Sequence, residues 1–114
     1  MMLNIKDKKI KKNMKDILKK SLNVLGDSLK NASTYYDYFL ALKRFCAANR
    51  FDDLSYAYDG AMRIWKVLNE YDKDEINTIR ELSYTLYGRL CDKLVDRYGQ
   101  EDAKTVHRTI YANW

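Results

Sequence analysis

The chain of 114 residues contains no proline, and its apolar residues recur at spacings of three and four along most of its length. Proline interrupts helices because its ring removes a backbone N–H donor and clashes with the preceding turn. Its absence therefore permits long helices, and no segment sustains the alternation of apolar and polar residues that is typical of a strand. We predict an all-α fold, a compact bundle of four to five helices, mostly antiparallel, that forms a single domain over 1–114.

Capping residues and apolar stripes divide the chain into five predicted helices. Ser33 is a predicted N-cap of the second helix, and Asp52 or Asp53 caps the third. Gly99 is a predicted left-handed stop after the fourth helix. The predicted helices cover residues 4–30, 34–49, 52–68, 73–98 and 101–111. The short connections between them predict antiparallel neighbours.

The fourth predicted helix carries a second stripe of small or apolar residues beside its main apolar stripe. The members of this second stripe are Tyr84, Gly88, Cys91 and Val95. A glycine inside a helix costs about 1 kcal/mol relative to alanine, which favours a site where another backbone approaches closely. We therefore expect the fourth helix to be central in the bundle, and a homodimer seam is the alternative.

The positive charge of the chain is confined to its lysine-rich start, 1–20. This segment holds eight lysines and two aspartates, a net charge of +6, whereas 21–114 carries a net charge of −1. Helical spacing places four of these lysines opposite the apolar stripe of the first helix: Lys8, Lys12, Lys15 and Lys19. Such a row can neutralise nucleic-acid phosphates or contact an acidic protein, and its alternative is a solvated outer face. An anionic membrane surface is a less favoured partner.

The ten tyrosines are the second distinctive feature of the composition. Tyrosine joins a large apolar ring to a polar hydroxyl and is enriched at protein interfaces. Several residues lie off the main core stripes of their helices or on the second stripe of the fourth helix. We take these as candidate protein-binding residues: Tyr36, Leu40, Tyr56, Tyr84 and Gly88. The alternative is that the tyrosine rings border the core with their hydroxyls in water.

Catalytic and metal-binding patterns do not stand out in the sequence. His107, the one histidine, falls on the apolar face of the last predicted helix, where a packed, hydrogen-bonded core residue is more frequent than a catalyst. No serine, cysteine or carboxylate at a recognisable spacing forms a dyad or triad with it. Cys46 and Cys91 form no CxxC motif, and two lone thiols fit a reducing compartment better than a disulfide scaffold. We expect no enzyme activity, no cofactor and no metal.

These observations favour a small non-enzymatic protein that binds another protein through an aromatic and basic helical surface. Its size and charge are compatible with an immunity-type protein or with an inhibitor encoded by a phage or another mobile element. The alternative is a nucleic-acid-binding protein, or a small subunit of a nucleoprotein complex, that uses the lysine-rich first helix. Because no apolar run suits a signal peptide or a membrane span, we expect a cytoplasmic protein.

Overall fold

The structure is a computed structural model, which describes the backbone of residues 5–68 and 72–113 and the side chains of residues 12–68 and 72–113. It contains five helices: α1 (Ile5–Lys30), α2 (Tyr35–Ala48), α3 (Asp52–Val67), α4 (Lys73–Tyr98) and α5 (Gln100–Asn113). Each boundary lies within two residues of its predicted position, and the described ranges contain no strand. The predicted all-α bundle is therefore confirmed.

The α2 helix begins one residue later than predicted, because Thr34 rather than Ser33 is its N-cap. The Thr34 hydroxyl accepts a hydrogen bond from the backbone N–H of Asp37 at 3.2 Å. The Asp37 carboxylate in turn accepts from the N–H and the hydroxyl of Ser33, and the bond from this N–H holds the pKa of Asp37 below its ordinary value. Asp72 caps α4 through its carboxylate, and Gly99, with a φ of 89°, follows this helix as the predicted stop.

The corner between α2 and α3 is only three residues long, and α3 begins without a side-chain cap. Phe51 occupies the N-cap position of α3, and the predicted caps Asp52 and Asp53 lie inside the first turn, where their charge complements the helix dipole. Arg50 has a φ of 61°, the left-handed conformation that lets the chain reverse direction here.

Consecutive helices pack against each other, and α1 also packs against α5, so that the five helices surround one core. Contacts join early residues of one helix to late residues of the next, as antiparallel packing requires, for example Tyr36 with Trp65 and Asp53 with Lys93. The α2–α3 contact is the most extensive. The largest fully buried side chains are Leu25, Leu29, Phe39, Leu42, Cys46, Leu54, Tyr58, Ile79, Leu90, Leu94 and Val106.

Three positions that the helical spacing assigns to the core are exposed instead: Ile17 of α1, Ile64 of α3 and His107 of α5. Tyr58 and Met62 of α3, which that spacing leaves off the core side of the helix, are buried. The buried face of α3 is therefore rotated toward Tyr58, whose ring contacts Phe39 at a centroid distance of 6.1 Å. A tyrosine has an apolar ring and a hydroxyl, so its polarity alone does not decide which face it takes.

The buried amide of Asn49 joins three helices at one point. Its Nδ2 donates to the Ser21 hydroxyl of α1 and to the Phe45 carbonyl of α2, both at 2.9 Å. Its Oδ1 accepts from the Tyr98 hydroxyl of α4 at 2.9 Å, and its backbone carbonyl accepts from the Arg97 guanidinium. Asn49 is 2% exposed, and both polar atoms of its side chain have partners.

We predict that Asn49→Ala lowers the free energy of unfolding by about 2 kcal/mol, because it leaves partly buried hydroxyls without their partner. Urea unfolding followed by circular dichroism measures the change. Asn77→Ala is the matched control, because Asn77 is exposed on α4 and its replacement should change stability by no more than about 0.5 kcal/mol. Equal effects of the two substitutions would contradict the role given to Asn49.

Candidate interaction surfaces

The first half of α1 extends past the end of α2. Because Asn49 follows α2 directly and its amide bonds to Ser21, the end of α2 lies beside the middle of α1. The α1 backbone begins sixteen residues before Ser21, at Ile5, which corresponds to about 24 Å of helix. Leu18 is the first buried side chain among those described in α1. The part of α1 before it thus buries no described side chain.

The predicted lysine face lies on this extension of α1. Lys12, Lys15 and Lys19 are exposed, and none forms an ion pair with another described residue. Lys8 belongs to the described backbone of α1, but its side chain lies outside the described residues. The spacings of three and four put the three described lysines on one side of the helix. The lysine face is open to solvent. This exposure is compatible both with binding of a partner and with a face that is only solvated.

An open depression of about 270 Å³ runs between α1 and α2, and we call it the α1–α2 groove. Its floor is apolar and includes the buried residues Leu25, Ala41 and Phe45. Its α1 wall carries Ile17 and Val24, whose side chains are 44% and 59% exposed. Two large aliphatic side chains therefore stay in water beside an apolar floor.

Cations flank the α1–α2 groove on both sides. Lys20 projects from α1 and Arg44 from α2; both are exposed, and neither forms an ion pair with another described residue. No acidic side chain in the described part of the chain lines the groove. Elsewhere, Lys43 and Arg63 are paired with Asp59, at 3.0 and 2.6 Å. The groove is thus a locally basic, unneutralised surface.

A second cavity, of about 220 Å³, lies between α2, α4 and α5, and we call it the tyrosine pocket. Five tyrosines line it: Tyr35, Tyr38, Tyr84, Tyr87 and Tyr111. Tyr38 is buried, whereas Tyr84 and Tyr111 are 73% and 69% exposed, so the former lies inside and the latter two lie at the mouth.

Polar groups accompany the rings of the tyrosine pocket. Arg80 and Ser83 of α4 contribute to its lining. Burial raises the pKa of Tyr38 to about 12, although a hydrogen bond with Ser83 opposes the shift. Partial burial also raises the pKa of Tyr87 well above its ordinary value. These hydroxyls therefore stay neutral near pH 7, and Arg80 is the charged group of the lining.

The five residues predicted to bind a protein do not form one site. Tyr36 is half-buried against Trp65 of α3, with a ring distance of 5.5 Å. Leu40 is half-buried in a small depression between α1 and α2, and Tyr56 is exposed on α3. Of the five, only Tyr84 lines the tyrosine pocket, and Gly88 is exposed on α4 outside it.

The prediction that α4 is central in the bundle is wrong, because the second stripe of this helix is mostly exposed. Tyr84, Gly88 and Val95 are exposed, and Cys91 is half-buried. A Cβ placed on Gly88 would meet no heavy atom within 4 Å, so no described backbone approaches it. The main stripe of α4 already supplies its contacts with α3 and α5, which leaves the second stripe outside. The homodimer seam stays a prediction.

His107 is exposed, so the prediction that it packs in the core is wrong. The buried side of α5 passes through Val106 and Ile110, and His107 lies about 100° farther around the helix than Val106. The expected hydrogen bond is present, because the imidazole Nδ1 pairs with the Tyr87 hydroxyl. The His107 ring also lies 4.6 Å from the ring centroid of Tyr111, at the edge of the tyrosine pocket.

The two cysteines are free and neither is activated. Burial raises the pKa of Cys46 to about 12. Partial burial raises the pKa of Cys91 as well, although a hydrogen bond with Tyr87 opposes the shift. Because the thiolate is the nucleophile and the metal ligand, both thiols are in unreactive surroundings.

The described residues contain no group of three histidine, cysteine, aspartate or glutamate side chains that could hold a metal ion. None of the helices over these ranges is both long enough and apolar enough to cross a membrane.

Sequence reasoning missed the two cavities, although one local signal was available. Ile17 and Leu18 are adjacent, and adjacent helical residues point about 100° apart, so a helix that packs on one side only covers one of the two less than the other. Arg44 gave no signal, because its position beside α1 depends on how the helices pack.

No protein-family model matches the chain, and no curated protein or solved structure matches it. The function is therefore inferred from the surfaces themselves.

We predict that Gly88→Ala raises the free energy of unfolding by about 0.5 to 1 kcal/mol, because alanine favours helix and its methyl group meets open space. Thermal or urea unfolding measures the change. Gly99→Ala is the control of opposite sign, since alanine is strained at a φ of 89°. If Gly88→Ala instead destabilised the protein or abolished a dimer in light scattering, a second copy would approach this glycine.

Proposed function

We propose that this protein is a small non-enzymatic binding protein whose α1–α2 groove takes an acidic amphipathic helix of another protein. The observation that carries the proposal is an open apolar groove with an unpaired cation on each side. A protein that captures such a segment can serve as an inhibitor or an immunity-type protein in the cytoplasm, and we keep that class as part of the proposal.

The apolar part of the groove matches the spacing of helix anchors. Ile17 and Val24 are seven residues apart, about 10.5 Å along α1, and a bound helix contacts a groove through residues at i, i+3 or i+4, and i+7. Burying exposed aliphatic surface contributes about 25 cal/mol per Å². On α1 the groove spans Ile17–Ser28, or about 17 Å, the length of three turns of a partner helix.

The positive charges beside the groove favour a partner of negative charge. Lys20 and Arg44 would face acidic side chains on either flank of a bound helix, and the lysine face would extend this field along α1. Complementary charge accelerates encounter and excludes partners of the same sign. A second copy of this chain is a poorer occupant of the groove, because its own α1 carries the same positive charge.

We predict that a photo-crosslinking amino acid in place of Val24 captures an acidic protein in cells of the native source, whereas one in place of Val67 does not. Val67 is the matched control, because it is an exposed valine on α3 outside the groove. Mass spectrometry identifies the adducts. The double variant Lys20→Glu, Arg44→Glu should abolish the Val24 adduct, since it reverses the charge on both flanks.

A control for net charge accompanies this experiment. Lys104→Glu with Arg108→Glu makes the same change in charge at two exposed positions of α5 and should leave the Val24 adduct intact. Equal adducts from positions 24 and 67, or equal losses in the two charge variants, would refute the proposal.

Nucleic-acid binding is the second candidate function, and the exposed, unpaired lysines of the α1 extension favour it. A helix that projects beyond its bundle can reach phosphates without interference from the acidic residues of the body. Each neutralised phosphate adds about 0.9 to the slope of log affinity against log salt for duplex DNA.

We predict for this second function that Lys12→Gln, Lys15→Gln and Lys19→Gln together lower the salt slope of duplex binding by roughly 2.7. Fluorescence anisotropy at several salt concentrations measures it. The matched control replaces Lys30, Lys73 and Lys104 by glutamine, because these lysines are exposed elsewhere and the loss of charge is the same. No binding by the wild type at low salt, or equal slopes in both variants, would exclude this function.

A further inference from the structure

We infer that the tyrosine pocket is a binding site for a small aromatic carboxylate. The pocket is formed by α2, α4 and α5, whereas the α1–α2 groove is formed by α1 and α2, so this inference does not rest on the proposed function.

The volume of the pocket sets the size of the ligand. A cavity of about 150 Å³ can hold benzene, and sites for drug-sized ligands measure roughly 300–1,000 Å³. At about 220 Å³, the tyrosine pocket has room for a single ring with a small substituent.

The walls of the pocket favour an aromatic ring over an aliphatic one. Tyr87 and Tyr111 meet edge to face at a centroid distance of 6.3 Å, and Tyr35 and Tyr38 do so at 6.4 Å. Aromatic rings prefer offset or edge-to-face neighbours at centroid distances of 4.5–7 Å. An aromatic ring of a ligand between these two pairs could make the same kind of edge-to-face contact with the tyrosines. The exposed rings of Tyr84 and Tyr111 at the mouth would also lose contact with water when a ligand enters.

Arg80 determines the charge of the ligand. Tyrosine-lined cavities also suit organic cations, which are attracted to ring faces. Arg80 lines this cavity, however, and its exposed guanidinium has no ion pair with another described residue. A guanidinium repels a cation and binds a carboxylate through two parallel hydrogen bonds. Among the described residues, no acidic side chain lines the pocket to reverse this preference.

Titration of the protein with three probes of one shape tests the inference. The probes are benzoate, neutral benzamide and cationic benzylamine, and two-dimensional amide NMR follows the residues of the pocket. We expect benzoate to give saturable shifts with a Kd on the order of 1 mM. Benzamide should bind roughly fivefold more weakly, because it lacks the charge that Arg80 pairs with, and benzylamine should bind more weakly still.

Two matched variants show whether Arg80 is responsible. Arg80→Gln should lower the affinity for benzoate to that for benzamide, while Arg89→Gln, the same change at an exposed position of α4 outside the pocket, should leave it unchanged. Amide spectra of the free variants report whether each is folded. The inference is overturned if benzoate gives no saturable shift at millimolar concentration, if benzylamine binds as tightly as benzoate, or if the two variants behave alike.

Discussion

The hydrogen bonds of the Asn49 amide determine how α1, α2 and α4 meet. A buried amide has to satisfy its donor and its acceptor together, and here Ser21, Phe45 and Tyr98 do so from three helices. These partners are available at only one register, because a shift of one helical residue moves each of them by 1.5 Å and 100°. The register places the end of α2 beside the middle of α1. Both the length of the free α1 extension and the opening of the groove follow from it.

Local signals in the sequence were sufficient to predict where the helices begin and end, but they did not predict the two cavities. Helix ends depend on neighbouring residues, so Gly99, which the sequence analysis predicts as the stop of the fourth helix, follows α4 in the structure. The face that a helix buries was harder to predict where a tyrosine competes with an aliphatic residue, as Tyr58 and Ile64 show. The tyrosine pocket combines residues of α2, α4 and α5 that lie dozens of positions apart, and no local pattern encodes such a meeting.

The aromatic and basic characters of the sequence occupy different places in the structure. The predicted single surface divides into a basic apolar groove on α1 and α2 and a tyrosine-lined pocket on α2, α4 and α5. The α2 helix contributes to both, with Phe45 on the side of the groove and Tyr38 on the side of the pocket. The many large side chains of α2 therefore reflect its packing against α1 and α3 and its part in both cavities, rather than one binding face.

The lysine face also has a cost for the free protein. Lys12 and Lys15, and then Lys15 and Lys19, are like charges at i,i+3 and i,i+4, and each such pair opposes helix formation by about 0.2–0.5 kcal/mol. The described side chains of the α1 extension before Leu18 are not buried and so offer little packing against this repulsion, and short helices without packing are marginal in water. An acidic partner would remove the repulsion as it binds. Salt would act in opposite directions on the two processes, since it screens the lysines from one another and from the partner, so the helicity of the free extension and its affinity for an anion are thermodynamically linked.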